Sequence, residues 1–190
     1  MDEGPAGDVE NATGPTRQLF IENEGETEMS SYLAEFNPDL DLKLDRVVDV
    51  APELVWAAWT QPEHLIHWFT PAPWKTVACE IDLRPGGKFK NVMQSPEGQE
   101  FPNVGCYLEV VENKRLIWTG ELGPGFRPKP KTDEIGMTVV LTFEPNGKGT
   151  KYTALVLHNS PEDRKKHEDM GFEYGWGKAL EQLVAYMKTV

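Results

Sequence analysis

His64 and His67 stand three residues apart in PEHLIHWF, a spacing with which two imidazoles on one side of a short helix begin a metal site. A metal centre needs a third and usually a fourth ligand, and no matching His or Cys pair accompanies them, so no metal is expected. Instead, His67 is expected to pack partly and His64 to face solvent. Cys79 and Cys106 fall in strand patterns two apart in an antiparallel succession, which sets their Cα atoms about 9 to 10 Å apart and excludes a disulfide. They read as small buried hydrophobes in a reducing compartment, since neither has a neighbouring base or helix N-terminus to make it a nucleophile. Asp82 and Arg84 precede Gly86-Gly87, but these glycines join two strands and do not open a helix, so an ion pair supporting a hairpin is expected and not a phosphate cradle. Glu173 borders an apolar helical stripe, where a partly desolvated carboxylate would serve as acid or base and a solvated one would do neither. Asn91, Glu121 and His158 are the other polar candidates, and no catalytic group is assigned from them.

Residues suited to holding an apolar molecule are more numerous. Every second side chain of a strand shares a face. In KFKNVMQS that face offers Phe89, Asn91 and Met93, and in RLIWTGEL it offers Leu116, Trp118 and Gly120. IGMTVVLTF offers Met137, Val139, Leu141 and Phe143, and KYTALVLH offers Tyr152, Ala154, Val156 and His158. Trp68, Phe69 and Trp74 from a helical region would close one end, while Phe172, Glu173 and Trp176 would contribute from a C-terminal helix. Aromatic and methionine side chains of this kind suit an apolar pocket; the alternative is that they fill a solid core.

The elements that must position them follow from periodicity. LDLKLDRVVDV alternates as a strand, after which Pro52 and Pro62 open two short helices. About six strand patterns come next, separated by compact turn signals such as Pro85-Gly86-Gly87 and Asn146-Gly147, and short connections force antiparallel neighbours. Ser160 is an N-cap with Pro161 in the first helical position and Asp163 at capping-box spacing. In the last helix Phe172, Trp176, Leu180, Leu183 and Met187 share one face. Gly175 and Gly177 flank Trp176 and are expected to let the sheet approach closely or to leave room for a ligand, while Gly171 marks a junction. Leucine at either of the first two is expected to do more harm than at Gly171. The long loop GPGFRPKPKTDE, with Phe126, Arg127, Lys129 and Lys131, reads as a flexible surface segment or as a gate over the site.

Charge divides the chain. Residues 1–40 hold ten acids against Arg17, a net of −9, so the other 150 residues carry only −3 of the total −12. The first forty are read as an acidic, largely disordered extension, in which residues 19–24 would add to a sheet edge and Met29 offers an alternative start. Residues 41–190 then form one domain. No basic cluster suits a nucleic-acid partner, and no apolar run is long enough for membrane insertion; the expected compartment is the cytoplasm.

VDVAPELVWAAWTQPEHLIHWF, DLRPGGKF, GCYLEVVENKRLIWT and MGFEYGWGKALEQL resemble, in order and spacing, the motifs of the activator of heat-shock protein 90 ATPase homologue family. That family lies within the START-like, birch-pollen-allergen-like helix-grip superfamily, which includes polyketide cyclases. The resemblance implies an α+β fold: a curved antiparallel sheet of about seven strands around a long C-terminal helix, enclosing a cavity. It also implies binding of a small apolar or aromatic ligand without a cofactor, with cyclase or hydrolase chemistry as the alternative. A chaperone partner is the third implication, although the namesakes carry a separate N-terminal chaperone-binding domain that residues 1–40 do not supply. Oligomeric state has no signature in the sequence.

Overall fold

The computed structural model describes Met1 and residues 35–190; the acidic extension, the segment 19–24 and Met29 lie largely or wholly outside the described residues. The chain divides into two units, Met1–Glu35 and Phe36–Val190, and the second carries the fold. Strand β1 (Asp41–Val48) alternates its burial, with Leu42 and Leu44 turned inward. Two short helices follow, α1 (Pro52–Thr60) and α2 (Pro62–Leu65), each with proline in its first turn, where a missing N–H costs no hydrogen bond.

The meander then runs through β2 (Lys75–Ile81), β3 (Lys88–Gln94), β4 (Glu100–Val111) and β5 (Arg115–Thr119). A small ribbon of β6 (Leu122–Gly123) and β7 (Arg127–Pro128) precedes the long hairpin of β8 (Met137–Asn146) and β9 (Gly149–His158). The seven-stranded sheet has the order β1-β9-β8-β5-β4-β3-β2, antiparallel throughout. Chain order is broken where β5 pairs with β8 across the small ribbon and where β1 pairs with β9, joining the start of the fold to its end.

Helix α3 (Pro161–Asp169) begins at Ser160, whose hydroxyl accepts from the Asp163 N–H at 3.1 Å. Helix α4 (Phe172–Met187) follows after Gly171, held at φ +89° in the left-handed region between the two helices. Its apolar face, with Phe172, Leu180, Leu183 and Met187 buried, packs toward β1 and α1. The inward rows of the sheet meet it: Val139, Leu141, Phe143, Tyr152, Ala154 and Val156 are all buried.

Three expectations need correction. A Cβ built on Gly175 or Gly177 meets nothing within 4 Å among the described residues, so neither glycine serves a close approach of sheet to helix; both border open space. His64 is half-buried and its Nδ1 lies 3.1 Å from the Tyr186 hydroxyl, whereas the exposed His67 stacks on the Tyr186 ring at 4.6 Å. Both histidines therefore dock α2 and the residues just after it onto α4: His67 packs partly, as expected, although its remainder is exposed, while His64 is half-buried and not turned to solvent. The long loop is not free over the site: Phe126 lies against Gly86, the Gly125 N–H donates to the Gly86 carbonyl at 2.8 Å, and Lys129 Nζ donates to the Val104 and Gly120 carbonyls.

Candidate ligand-binding site

Phe89 sits at the centre of an aromatic cluster on the inner face of the sheet. Its ring lies 5.0 Å from Trp118, 5.5 Å from Tyr107 and 5.9 Å from Phe69. Phe69 continues the cluster to Trp59 and Trp68, each at 5.8 Å, and these two indoles meet edge to face at 4.8 Å. Register explains the placement, because Tyr107 on β4 is directly opposite Trp118 on β5, and Trp118 opposite Val139 on β8. Gln182 of α4 fixes the segment after α2 by donating to the Trp68 and Thr70 carbonyls at 2.9 and 3.0 Å and accepting from the Ala72 N–H at 2.8 Å.

The cluster's polar atoms differ in their satisfaction. Trp68 Nε1 donates to the Ala58 carbonyl at 3.1 Å. Trp118 Nε1 and the Tyr107 hydroxyl are buried and make no hydrogen bond among the described residues. Trp59 Nε1 is turned toward the Tyr152 hydroxyl without closing a bond to it. Burial, with Cys79 nearby, pushes the Tyr107 phenol far above its ordinary range, so it stays a neutral donor. Burial and then the Glu80 charge push the Cys79 thiol up to about 11, which leaves it an unreactive thiol; both cysteines are free.

Along β3 and β4 the inner face then becomes polar. Asn91 is buried and its Oδ1 accepts from Asn103 Nδ2 at 3.3 Å. Beyond it Met93 is half-buried opposite Phe101, and Trp74 lies at the surface with its ring 5.3 Å from that of Phe101. Trp74 therefore belongs to the outer rim and does not close the interior.

A second group gathers where α3 meets α4. Met137 on β8 is opposite His158 on β9, and His158 is buried. Its ring is 5.2 Å from that of His167 on α3, which lies 5.1 Å from Phe172 and 6.5 Å from Trp176. Burial first, then the neighbouring His158, lowers His167 to about 4, so it is neutral near pH 7.

Glu173 stands outside this interior. Its carboxylate is 79% exposed and pairs with Arg46 at 3.0 Å, beside a surface cleft of about 460 Å³ shared with Arg164 and Tyr174. The other sequence candidate, Glu121, accepts from Asn159 Nδ2 at 3.0 Å. Asp82 and Arg84 form the expected ion pair at 2.8 Å, both exposed. Among the described residues no three His, Cys, Asp or Glu side chains come together as a metal site.

Of the residues expected from the sequence, Trp68, Phe69, Phe89, Asn91 and Trp118 thus fall in one group, and Met137, His158, Phe172 and Trp176 in another. Tyr107, Trp59, Asn103 and His167 were not anticipated. Tyr107 lies two residues beyond Gly105, the partner of Phe89, and so shares its face, whereas His167 sits in a helix with no apolar period and only the fold brings it to His158.

The model of the family described as "Activator of Hsp90 ATPase homolog 1-like protein" matches residues 49–188. The chain belongs to that family. A solved protein of Nitrosomonas europaea is 48% identical, with a TM-score of 0.78 over 81% of this chain and 97% of its own. One from Mycobacterium smegmatis is 26% identical, with a TM-score of 0.65 over 77% and 90%. A protein of Aeromonas hydrophila, titled AHSA1-like, is 20% identical with a TM-score of 0.59 over 79% and 93%, a likeness of fold. No curated protein matches the chain. Membership agrees with the α+β helix-grip architecture, and no helix among the described residues is long and apolar enough to cross a membrane.

Proposed function

We infer that the protein binds a small apolar or aromatic molecule between the sheet and α4, with its polar atom directed at the deep aromatic cluster. The observation that carries this is the pair of unpartnered donors, Tyr107 Oη and Trp118 Nε1, on directly opposed residues of β4 and β5. A buried donor without a partner costs about 1–3 kcal/mol, so two side by side in an aromatic interior mark where an acceptor oxygen gains most. A carbonyl or ether oxygen has lone pairs for both. The neutrality of the cluster favours an uncharged ligand over a carboxylate, because an anion would be desolvated there without a cation.

Cyclisation or hydrolysis would require an acid and a base converging on the ligand, and Glu173 faces solvent. Native mass spectrometry of protein purified from its own host tests the binding reading by seeking a retained neutral aromatic compound, followed by titration of that compound. Tyr107→Phe should weaken its binding about fivefold while leaving the unliganded fold as stable as before, and Trp118→Phe should weaken it similarly while also costing stability through the void its smaller ring leaves. Unchanged affinity in both variants would sink this placement of the ligand.

A further inference from the structure

The two histidines at the junction of β9, α3 and α4 have their protons fixed by one another and by the backbone. His158 Nδ1 lies 2.9 Å from the Leu40 carbonyl oxygen, which only accepts, so Nδ1 carries the proton. In the tautomer that this bond selects, Nε2 of His158 is a lone pair. That atom lies 2.9 Å from Nδ1 of His167, which must donate to it. The proton of His167 is thus committed to Nδ1, and no hydrogen bond among the described residues engages its Nε2 lone pair. Around the His167 ring stand those of Phe172, edge-on to it, and Trp176, half-buried and flanked by the open space at Gly175 and Gly177.

We propose that His158 and His167 form a polar subsite for the hydroxyl of an aromatic alcohol, a phenol or an enol, with His167 Nε2 accepting the O–H and Phe172 and Trp176 holding the ring. This rests on the reading of the interior as an apolar ligand site and adds to it the chemical class of one ligand group. His158 is a positioning residue: its bond to Leu40 sets its own tautomer, and through that the tautomer of His167. A hydroxyl donor satisfies the site, whereas its methyl ether offers no proton.

The test titrates the full chain with 2-naphthol and with 2-methoxynaphthalene, followed by fluorescence. Both offer an oxygen acceptor, so Tyr107 and Trp118 do not discriminate between them. The naphthol should bind about fivefold more tightly, the worth of one neutral hydrogen bond. Bound naphthol should also emit a larger share as naphtholate than the free probe in the same buffer, because its excited-state proton passes to the imidazole. His167→Phe should abolish both the preference and that emission while keeping the ether's affinity. His158→Leu should diminish both, and His158→Gln should restore them, since its amide oxygen still accepts from His167 Nδ1–H. Equal affinities in the unmodified protein, or a preference that survives His167→Phe, would overturn the subsite alone. A preference that survives His158→Leu would overturn the positioning role. If neither probe binds, the apolar-site reading falls and the subsite with it.

Discussion

The cluster around Phe89 and the cluster around His167 are both aromatic, but they treat hydrogen bonding in opposite ways. In the first, three buried donors, Tyr107 Oη, Trp118 Nε1 and Trp59 Nε1, have no acceptor among the described residues and the side chains are held by shape. In the second, the histidines are tied head to tail to the Leu40 carbonyl, and a half-buried indole sits beside open helix surface. The difference teaches that burial and polar satisfaction are separable here. The tightly packed region keeps unused hydrogen-bonding capacity, and the looser region has its protons assigned.

The sharpest way to break this contrast is to remove one ring from each side. Phe89 is 2% exposed and touches three other rings, so Phe89→Ala should cost about 3–4 kcal/mol in unfolding free energy through lost contacts and the void left behind. Trp176→Ala, at a half-buried position, should cost about half of that or less. Urea denaturation of both variants decides it. If the Trp176 variant loses as much as the Phe89 variant, the two regions are packed alike and the distinction is wrong.

The legibility of the two regions in the sequence also differs. Strand alternation identified Phe89, Asn91 and Trp118 as neighbours on one face because a period of two leaves no freedom once the strands pair. It did not show that Trp118 Nε1 lacks a partner while Trp68 Nε1 has one, since that depends on which backbone carbonyl the indole reaches. At the other cluster, His158 was legible from β9 but His167 was not. Its helix carries acids and bases at i,i+4, such as Arg164 with Glu168 at 2.6 Å, and reads as solvated along its length. Glu173 shows a related limit: a position near an apolar stripe fixes an angle on the helix and leaves both readings open, and the pairing with Arg46 of β1 goes with the solvated one.

The phenol of Tyr107 has no proton to exchange in the accessible range, whereas His167 does. Its folded value of about 4 lies below the ordinary 6.5, so as pH falls the unfolded chain takes up a proton first. Its neutral burial therefore has full benefit above about pH 6.5 and loses it progressively down to about pH 4. After discounting for the ring's partial exposure, the loss is on the order of 2 kcal/mol. His167→Gln, which still donates to His158 Nε2, should flatten this part of the pH–stability curve measured by urea midpoints. A slope between pH 6.5 and 4 that is the same in the variant would assign the acid sensitivity elsewhere.

The smallest effects distinguish the three glycines beside Trp176, and their order reverses what helix periodicity implies. Gly171 holds φ at +89°, so Gly171→Ala forces an L side chain into the left-handed region and should cost about 1–2 kcal/mol, although a Cβ there meets nothing. Gly175 and Gly177 have helical backbone and equally empty surroundings, so alanine at either should stabilise by up to about 1 kcal/mol through helix propensity. The space they border also bears on function. If that space admits a ligand's edge next to Trp176, Gly175→Leu should raise thermal stability and weaken ligand binding together. If it is only solvent, the same variant should be more stable with binding unchanged, and the open region would then have no part in the site.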